Sequence, residues 1–289
     1  MNVTLACTQM ACSWNLTENL ERAEHLELAL EKRIYRVDLI EEMLRERIAD
    51  GTVLLDIEGE KVGQVNGLAL LDLGDHAFAL PARITATTAM GRAGIIDIDR
   101  EAEMSGSIHT KGVLILTGFL RSRFAQNKPL TLTASICFEQ SYGGIEGDSA
   151  SSAELYGLLS SLADVPIRQG IAVTGSVNQR GEVQPIGGVN RKIEGFFDLC
   201  KLHGLTGEQG VMVPERNHLQ LMLRRDVVEA VEKGRFHVWA VSTIEEGLEV
   251  LTGMPAGTRG DDGTYPEDTL FGRVDATLQR LADEVSRYG

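Results

Sequence analysis

Positive charge is in short supply in this sequence. Lys and Arg number 28 against 42 Asp and Glu, which leaves a net charge of −14 over 289 residues. Nucleic-acid phosphates and anionic membrane surfaces need a cationic face, so this balance speaks against both as general partners. Cysteine is sparse as well. Cys7, Cys12, Cys137 and Cys200 stand in no framework spacing and read as reduced thiols of a cytoplasmic protein. The longest apolar runs, such as Val113–Leu116, fall far short of the ~20 residues of a membrane helix. No basic segment precedes an apolar run at the N-terminus, so no signal peptide is expected.

Several catalytic signatures are also missing. There is no G-x-x-x-x-G-K-[ST] loop to cradle phosphates, so no ATP or Mg site is expected in this sequence. Neither H-E-x-x-H nor paired C-x-x-C occurs, so no metal is expected; Cys200 with His203 is a single pair, most simply structural. The G-x-S-x-G nucleophile elbow is absent too.

What is present is globular in composition, 43% hydrophobic and 24% charged. At roughly 100–200 residues per domain the length allows one large domain or two modest ones. Leu28 to Asp50 reads as one long charged helix with an apolar stripe, stopped by Gly51. From Thr52 the period changes. Thr52–Ile57, Lys61–Leu71, Ala77–Thr87, Ile95–Ile98 and Leu130–Phe138 read as strands, and Ile108–Ala125 as a buried helix. A helix over Ser149–Leu162 follows, then a hairpin turning near Gly181, a helix over Val189–His203, and short strands at Val211–Pro214 and His237–Val241. Helices are expected at Asp226–Lys233, Thr243–Leu251 and Leu270–Tyr288, with a Gly/Pro/Asp-rich linker over 253–267. The pattern is α/β (α+β), with mixed sheets and packed helices preceded by a long helix.

Chemistry concentrates in two small-residue clusters. The first runs from Glu139 to Glu154 and carries Gly147-Asp148-Ser149-Ala150-Ser151 into a helix. Ser151 with Glu154 has the spacing of a capping box, the plainest reading of these serines. The chemical reading places Ser149 at a helix N-terminus, where free N–H groups near Asp148–Ala150 can hold an oxyanion. The second cluster, Gly187-Gly188-Val189-Asn190-Arg191-Lys192, offers a base, since burial lowers a lysine pKa and a neutral amine can take a serine proton. A lone lysine on an amphipathic helix is usually solvated; the two clusters together are far more specific.

Together with Val173-Thr174-Gly175-Ser176-Val177-Asn178, these segments resemble the proteolytic domain of Lon-type serine peptidases, the branch with its serine in Gly-Asp-Ser-Ala-Ser. The resemblance implies Ser149 as nucleophile and Lys192, 43 residues later, as general base. It also implies Thr133 as the threonine supporting the lysine, Glu146 and Asp148 as acidic neighbours of the serine, and Glu103 as a further acidic site residue. Arg191 stands where relatives commonly have Glu. The likeness runs from about Leu28 to the C-terminus and implies a homo-hexamer acting on unfolded proteins or peptides, with an AAA+ ATPase region, or a separate ATPase, binding ATP and Mg. The expected layout is a connecting helix over 27–51, the proteolytic domain over 52–253, and a linker with a terminal helix over 254–289. Residues 1–26, with Val3-Thr4-Leu5-Ala6-Cys7-Thr8-Gln9-Met10, resemble the N-terminus of N-carbamoylputrescine amidases of the nitrilase superfamily, as though joined near residues 24–28.

The leading expectation is a serine endopeptidase using a Ser-Lys dyad, with the segment around Thr131–Gln140 pairing with substrate as an added strand. The competing one is a catalytically silent remnant that keeps the fold as an oligomeric scaffold. An amidohydrolase fragment is the weakest, because the nitrilase catalytic residues do not follow.

Overall fold

The structure, a computed structural model, describes residues 15–288. Two helices open it, α1 (Leu16–Ile34) and α2 (Leu39–Ala49), and Asn15 caps the first by accepting the Thr17 N–H at 3.1 Å. The strands β1 (Glu60–Lys61), β2 (Gln64–Asp72), β3 (Ala77–Met90) and β4 (Gly94–Asp97) follow, then α3 (Ile98–Glu101), α4 (Ser107–Phe124) and β5 (Leu132–Phe138). The middle of the chain holds α5 (Ser151–Ala163), β6 (Ile167–Arg168), β7 (Ile171–Val173), β8 (Ser176–Val177), β9 (Val183–Gln184) and α6 (Val189–His203). It closes with β10 (Gly210–Pro214), α7 (Arg225–Glu232), β11 (His237–Val241), α8 (Ile244–Thr252) and α9 (Leu270–Tyr288).

Seven strands form one mixed sheet in the order β11-β10-β7-β2-β3-β5-β4. Strands β11, β10, β7 and β2 run parallel, β3 is antiparallel to both β2 and β5, and β4 is parallel to β5. Side chains alternate faces along a strand, and the burial follows that period. Ile171, Val173 and Met212 join the core that α4, α5, α8 and α9 cover, while Ala172, Val211 and Val213 join a second core under α6 and α7. The sheet is therefore a middle layer between two helical layers, with α5 on one face and α6 on the other.

The long helix expected over 28–50 is two helices. Val37 and Arg36 donate three residues back, to Ile34 and Arg33, which tightens the end of α1 and breaks the ladder before Leu39. The break turns α2 onto α6. Ile48 is buried there, Arg45 bonds Asp198 at 2.8 Å, and Glu41 reaches His76 at 2.6 Å. The strand expected at Thr52–Ile57 is irregular. Side chains take its backbone groups instead: Gln140 bonds the Leu54 N–H and the Thr52 carbonyl, and Asn66 the Asp56 carbonyl. The segment 253–267 has no helix or strand but is not detached, since Ala256 and Tyr265 are buried and Tyr265 meets Phe271 edge-on. Of the stretch 1–26, residues 1–14 lie outside the described residues, and α1 runs unbroken through the join expected at 24–28.

Helix α6 lies close on β3 because Gly195 has no side chain. A Cβ there would sit 2.5 Å from the Ala79 Cβ, and Ala79 cannot move without its strand. Helix propensity favours Gly195→Ala by about 1 kcal/mol, but overpacking of this kind costs about 1–3 kcal/mol. The variant is expected to unfold at lower denaturant than the parent; a higher midpoint would show that α6 is not held by this contact.

Candidate active site

The two helical layers meet at the C-terminal end of β7. Apolar Ile171-Ala172-Val173 ends there, and the chain continues through Thr174 and Gly175 into β8. Ser149 lies just before the first turn of α5, and Lys192 within the first turn of α6. One residue thus arrives from each face of the sheet. The Lys192 Nζ stands 2.9 Å from the Ser149 Oγ and 2.9 Å from the Thr174 Oγ1.

Lys192 is only 2% exposed, and among the described residues no carboxylate pairs with it. Burial without a counter-charge disfavours the ammonium form and lowers its pKa to about 8. Both helices also turn their partially positive N-terminal ends toward this point, which disfavours a further positive charge.

The serine is held by its neighbours. Its carbonyl accepts the Gly175 N–H at 2.7 Å. Ser152 gives both its N–H and its hydroxyl to the Gly175 carbonyl, at 3.1 and 2.8 Å. Ser151 accepts the Val177 N–H at 3.1 Å. The Thr174 hydroxyl also reaches the Ser149 carbonyl at 3.3 Å, so five bonds staple the start of α5 to the chain leaving β7. Among the described residues, the Ser149 and Ala150 N–H groups have no hydrogen-bond partner, so two donors remain for an oxyanion.

The capping box does not form. Residue Ala150 occupies the cap position, Ser151 is engaged with Val177, and Glu154 is fully buried rather than reaching back. Asp148 accepts the Ser176 hydroxyl at 2.9 Å beside the site. Glu146 lays its carboxylate over Gly106, where the loop 104–106 pairs with Ile145, and Glu103 stands at the start of that loop in the left-handed region, φ 58°. Neither Glu103 nor Glu146 bonds Ser149 or Lys192.

Thr133 is not the threonine on the lysine. It lies on β5, separated from β7 by β3 and β2, so three strand spacings of roughly 14 Å intervene. Its hydroxyl accepts the Ala93 N–H at 3.4 Å instead. Thr174 is the threonine that the Lys192 amine meets, and its signal in the sequence is a lone polar residue directly after a fully apolar strand. The Thr131–Gln140 stretch is also unavailable for strand addition over most of its length, because β5 pairs with β3 on one side and β4 on the other. Among the described residues no three His, Cys, Asp or Glu side chains converge as a metal site would require.

A buried, unpaired lysine is a burden on the fold. Its pKa falls from 10.5 to about 8, so the penalty is full below pH 8 and gone above 10.5. Lys192→Met is expected to raise the unfolding midpoint at pH 7, with the gain shrinking as pH rises from 8 to 10.5. A pH-independent difference would show that the amine is not the source.

Comparison with known proteins agrees with this geometry. The family model of the Lon protease (S16) C-terminal proteolytic domain matches residues 55–253. The chain is 43% identical over 267 residues to a Lon protease homologue of Escherichia coli (strain K12), covering 92% of this chain and 44% of that protein. It is 38% identical to a Lon protease homologue of Haemophilus influenzae, covering 88% of this chain and 42% of the other. With an archaeal Lon protease of Thermococcus kodakarensis it shares 30% identity over 89% of this chain and 38% of the other. The chain thus spans less than half the length of these relatives. The nitrilase likeness of residues 1–26 is not borne out. With a matched segment that contains both Ser149 and Lys192, this chain belongs to the Lon protease C-terminal proteolytic domain family.

Proposed function

We propose that this chain is a serine endopeptidase that hydrolyses peptide bonds of unfolded proteins through the Ser149–Lys192 dyad. The observation that carries the reading is the 2.9 Å contact between a buried, unpaired lysine amine and the serine hydroxyl. With a pKa of about 8, roughly a tenth of the lysines are neutral at pH 7, on the order of 300-fold more than for a solvated lysine. The neutral amine accepts the Ser149 proton while giving one N–H to Thr174, which aims its lone pair at the serine. Ser149 Oγ adds to the substrate carbonyl, and the Ser149 and Ala150 N–H groups receive the oxyanion. Lys192 then returns the proton to the leaving amine, and afterwards activates the water that releases the acyl group.

Family membership supports the wider reading. Residues 52–253 serve as the peptidase unit, with 27–51 connecting it to a preceding region and 254–289 completing the core. The protein works in the cytoplasm as a homo-hexameric ring, to which an ATPase region or a separate ATPase delivers unfolded chains. Among the described residues no helix is long and apolar enough to cross a membrane.

Hydrolysis of casein without ATP tests the dyad. The chain is expected to cleave casein, and Ser149→Ala and Lys192→Ala to abolish cleavage while staying folded. Thr174→Val removes the hydroxyl that accepts from Lys192 and reaches the Ser149 carbonyl, and is expected to lower kcat about 10- to 100-fold with little change in KM. Activity surviving in Ser149→Ala would reject the reading, and a fully active Thr174→Val would remove the threonine from it.

A further inference from the structure

The mechanism leaves one buried ionisable group unused. His109 of α4, Asp97 at the end of β4 and Glu154 of α5 are 2%, 0% and 0% exposed. The His109 Nε2 lies 3.1 Å from the Asp97 Oδ2 and 3.4 Å from the Glu154 Oε1. Neither pair meets hydrogen-bond geometry, and both Glu154 oxygens are without a hydrogen-bond partner among the described residues. One Nε2–H cannot point at two carboxyl groups at once, so the second needs a proton of its own. Burial, together with Asp97 and Asp99, pushes the Glu154 carboxyl up to about 7, against the pull of His109. Around the group stand Asp99, which accepts the Phe138 N–H at 2.9 Å, and on β5 Cys137, whose thiol burial pushes up to about 11. Glu245 and Glu246 of α8 act on Tyr156, farther along α5.

The placement gives this group a purpose. The Glu154 N–H closes the first turn of α5 on the Ala150 carbonyl at 3.0 Å, and Ala150 and Ser149 carry the two free N–H donors. One turn after His109, Gly112 of α4 faces that same turn: a Cβ there would make ordinary contact, 3.5 Å from the Ser151 Cβ and 3.7 Å from the Asp148 Cβ. Glu154 thus stands where α5 meets α4 and the end of β4, within the turn that follows the two donors.

We propose that Glu154 is a positioning residue for Ser149, its neutral carboxyl lodged against His109 and Asp97 so that the first turn of α5 keeps the nucleophile and its N–H pair in place. This rests on the Ser149–Lys192 reading. An apolar residue of the same volume fills the space but cannot make that polar contact; a neutral amide can.

The test uses the full chain, casein hydrolysis and amide hydrogen exchange over residues 149–156. Glu154→Gln is expected to keep kcat within about threefold. Glu154→Leu is expected to lower kcat about 10- to 100-fold, to leave KM within twofold, and to speed exchange in the first turn of α5. If Glu154→Leu does not fold, the pair Glu154→Leu/His109→Leu, which removes both partners of the contact, replaces it with the same expectation. Wild-type kcat in the folded Leu variant, an equal loss in the Gln variant, or a loss confined to KM overturns the proposal. A Ser149→Ala control separates the two readings. If it stays active the dyad reading has failed; if it is silent while the Leu variant matches the parent, only the positioning role has failed.

Discussion

The site depends on one unfavourable fact, a lysine taken out of water with no carboxylate to meet it. Lys192 ranks with Tyr156, Phe119 and Phe124 among the largest fully buried side chains. A buried ammonium costs several kcal/mol unless paired, so the surroundings push the group toward the neutral amine that base chemistry needs. Everything near it has to tolerate that burden. Gly195 lets α6 settle onto β3, the second core closes beneath Lys192 with Ile193, Phe196 and Phe197, and Thr174 supplies an uncharged acceptor. A carboxylate in place of Thr174 would ease the burial and abolish the base.

The serine side is built on the opposite principle, that of fixing by many ordinary bonds. Gly175 receives Ser152 twice and gives its own N–H to Ser149, so the turn before α5 cannot drift from the end of β7. The reactive pair is thus assembled across the sheet from two helices that share few direct contacts. Their common reference is the strand between them. This explains why the two sequence clusters lie far apart in the chain yet close at a single 2.9 Å contact.

Much of this was legible in the sequence, for identifiable reasons. The strand-to-helix transitions at Ser149 and at Val189 are marked by glycines and by a change of hydrophobic period, and Val189–His203 has its expected bounds. The resemblance then paired Ser149 with Lys192. Other features were not legible because they depend on which strands become neighbours. Thr133 lies within β5 and Thr174 directly after β7, and only the order β7-β2-β3-β5 shows which of them meets the lysine. Glu154 had the local spacing of a capping residue, but its side chain is buried in the core 3.4 Å from His109, which local spacing does not encode. The break between α1 and α2 follows from docking on α6, which no helical period encodes.

The most direct test of the account follows Ser149 itself rather than turnover. The rate at which a fluorophosphonate labels Ser149 in the full chain, measured from pH 6 to 11, reports the protonation of its base. The expected rate rises with pH and levels off about an inflection near 8, where burial places Lys192. A flat profile, or one still climbing beyond pH 10 as a solvated lysine would give, would contradict it.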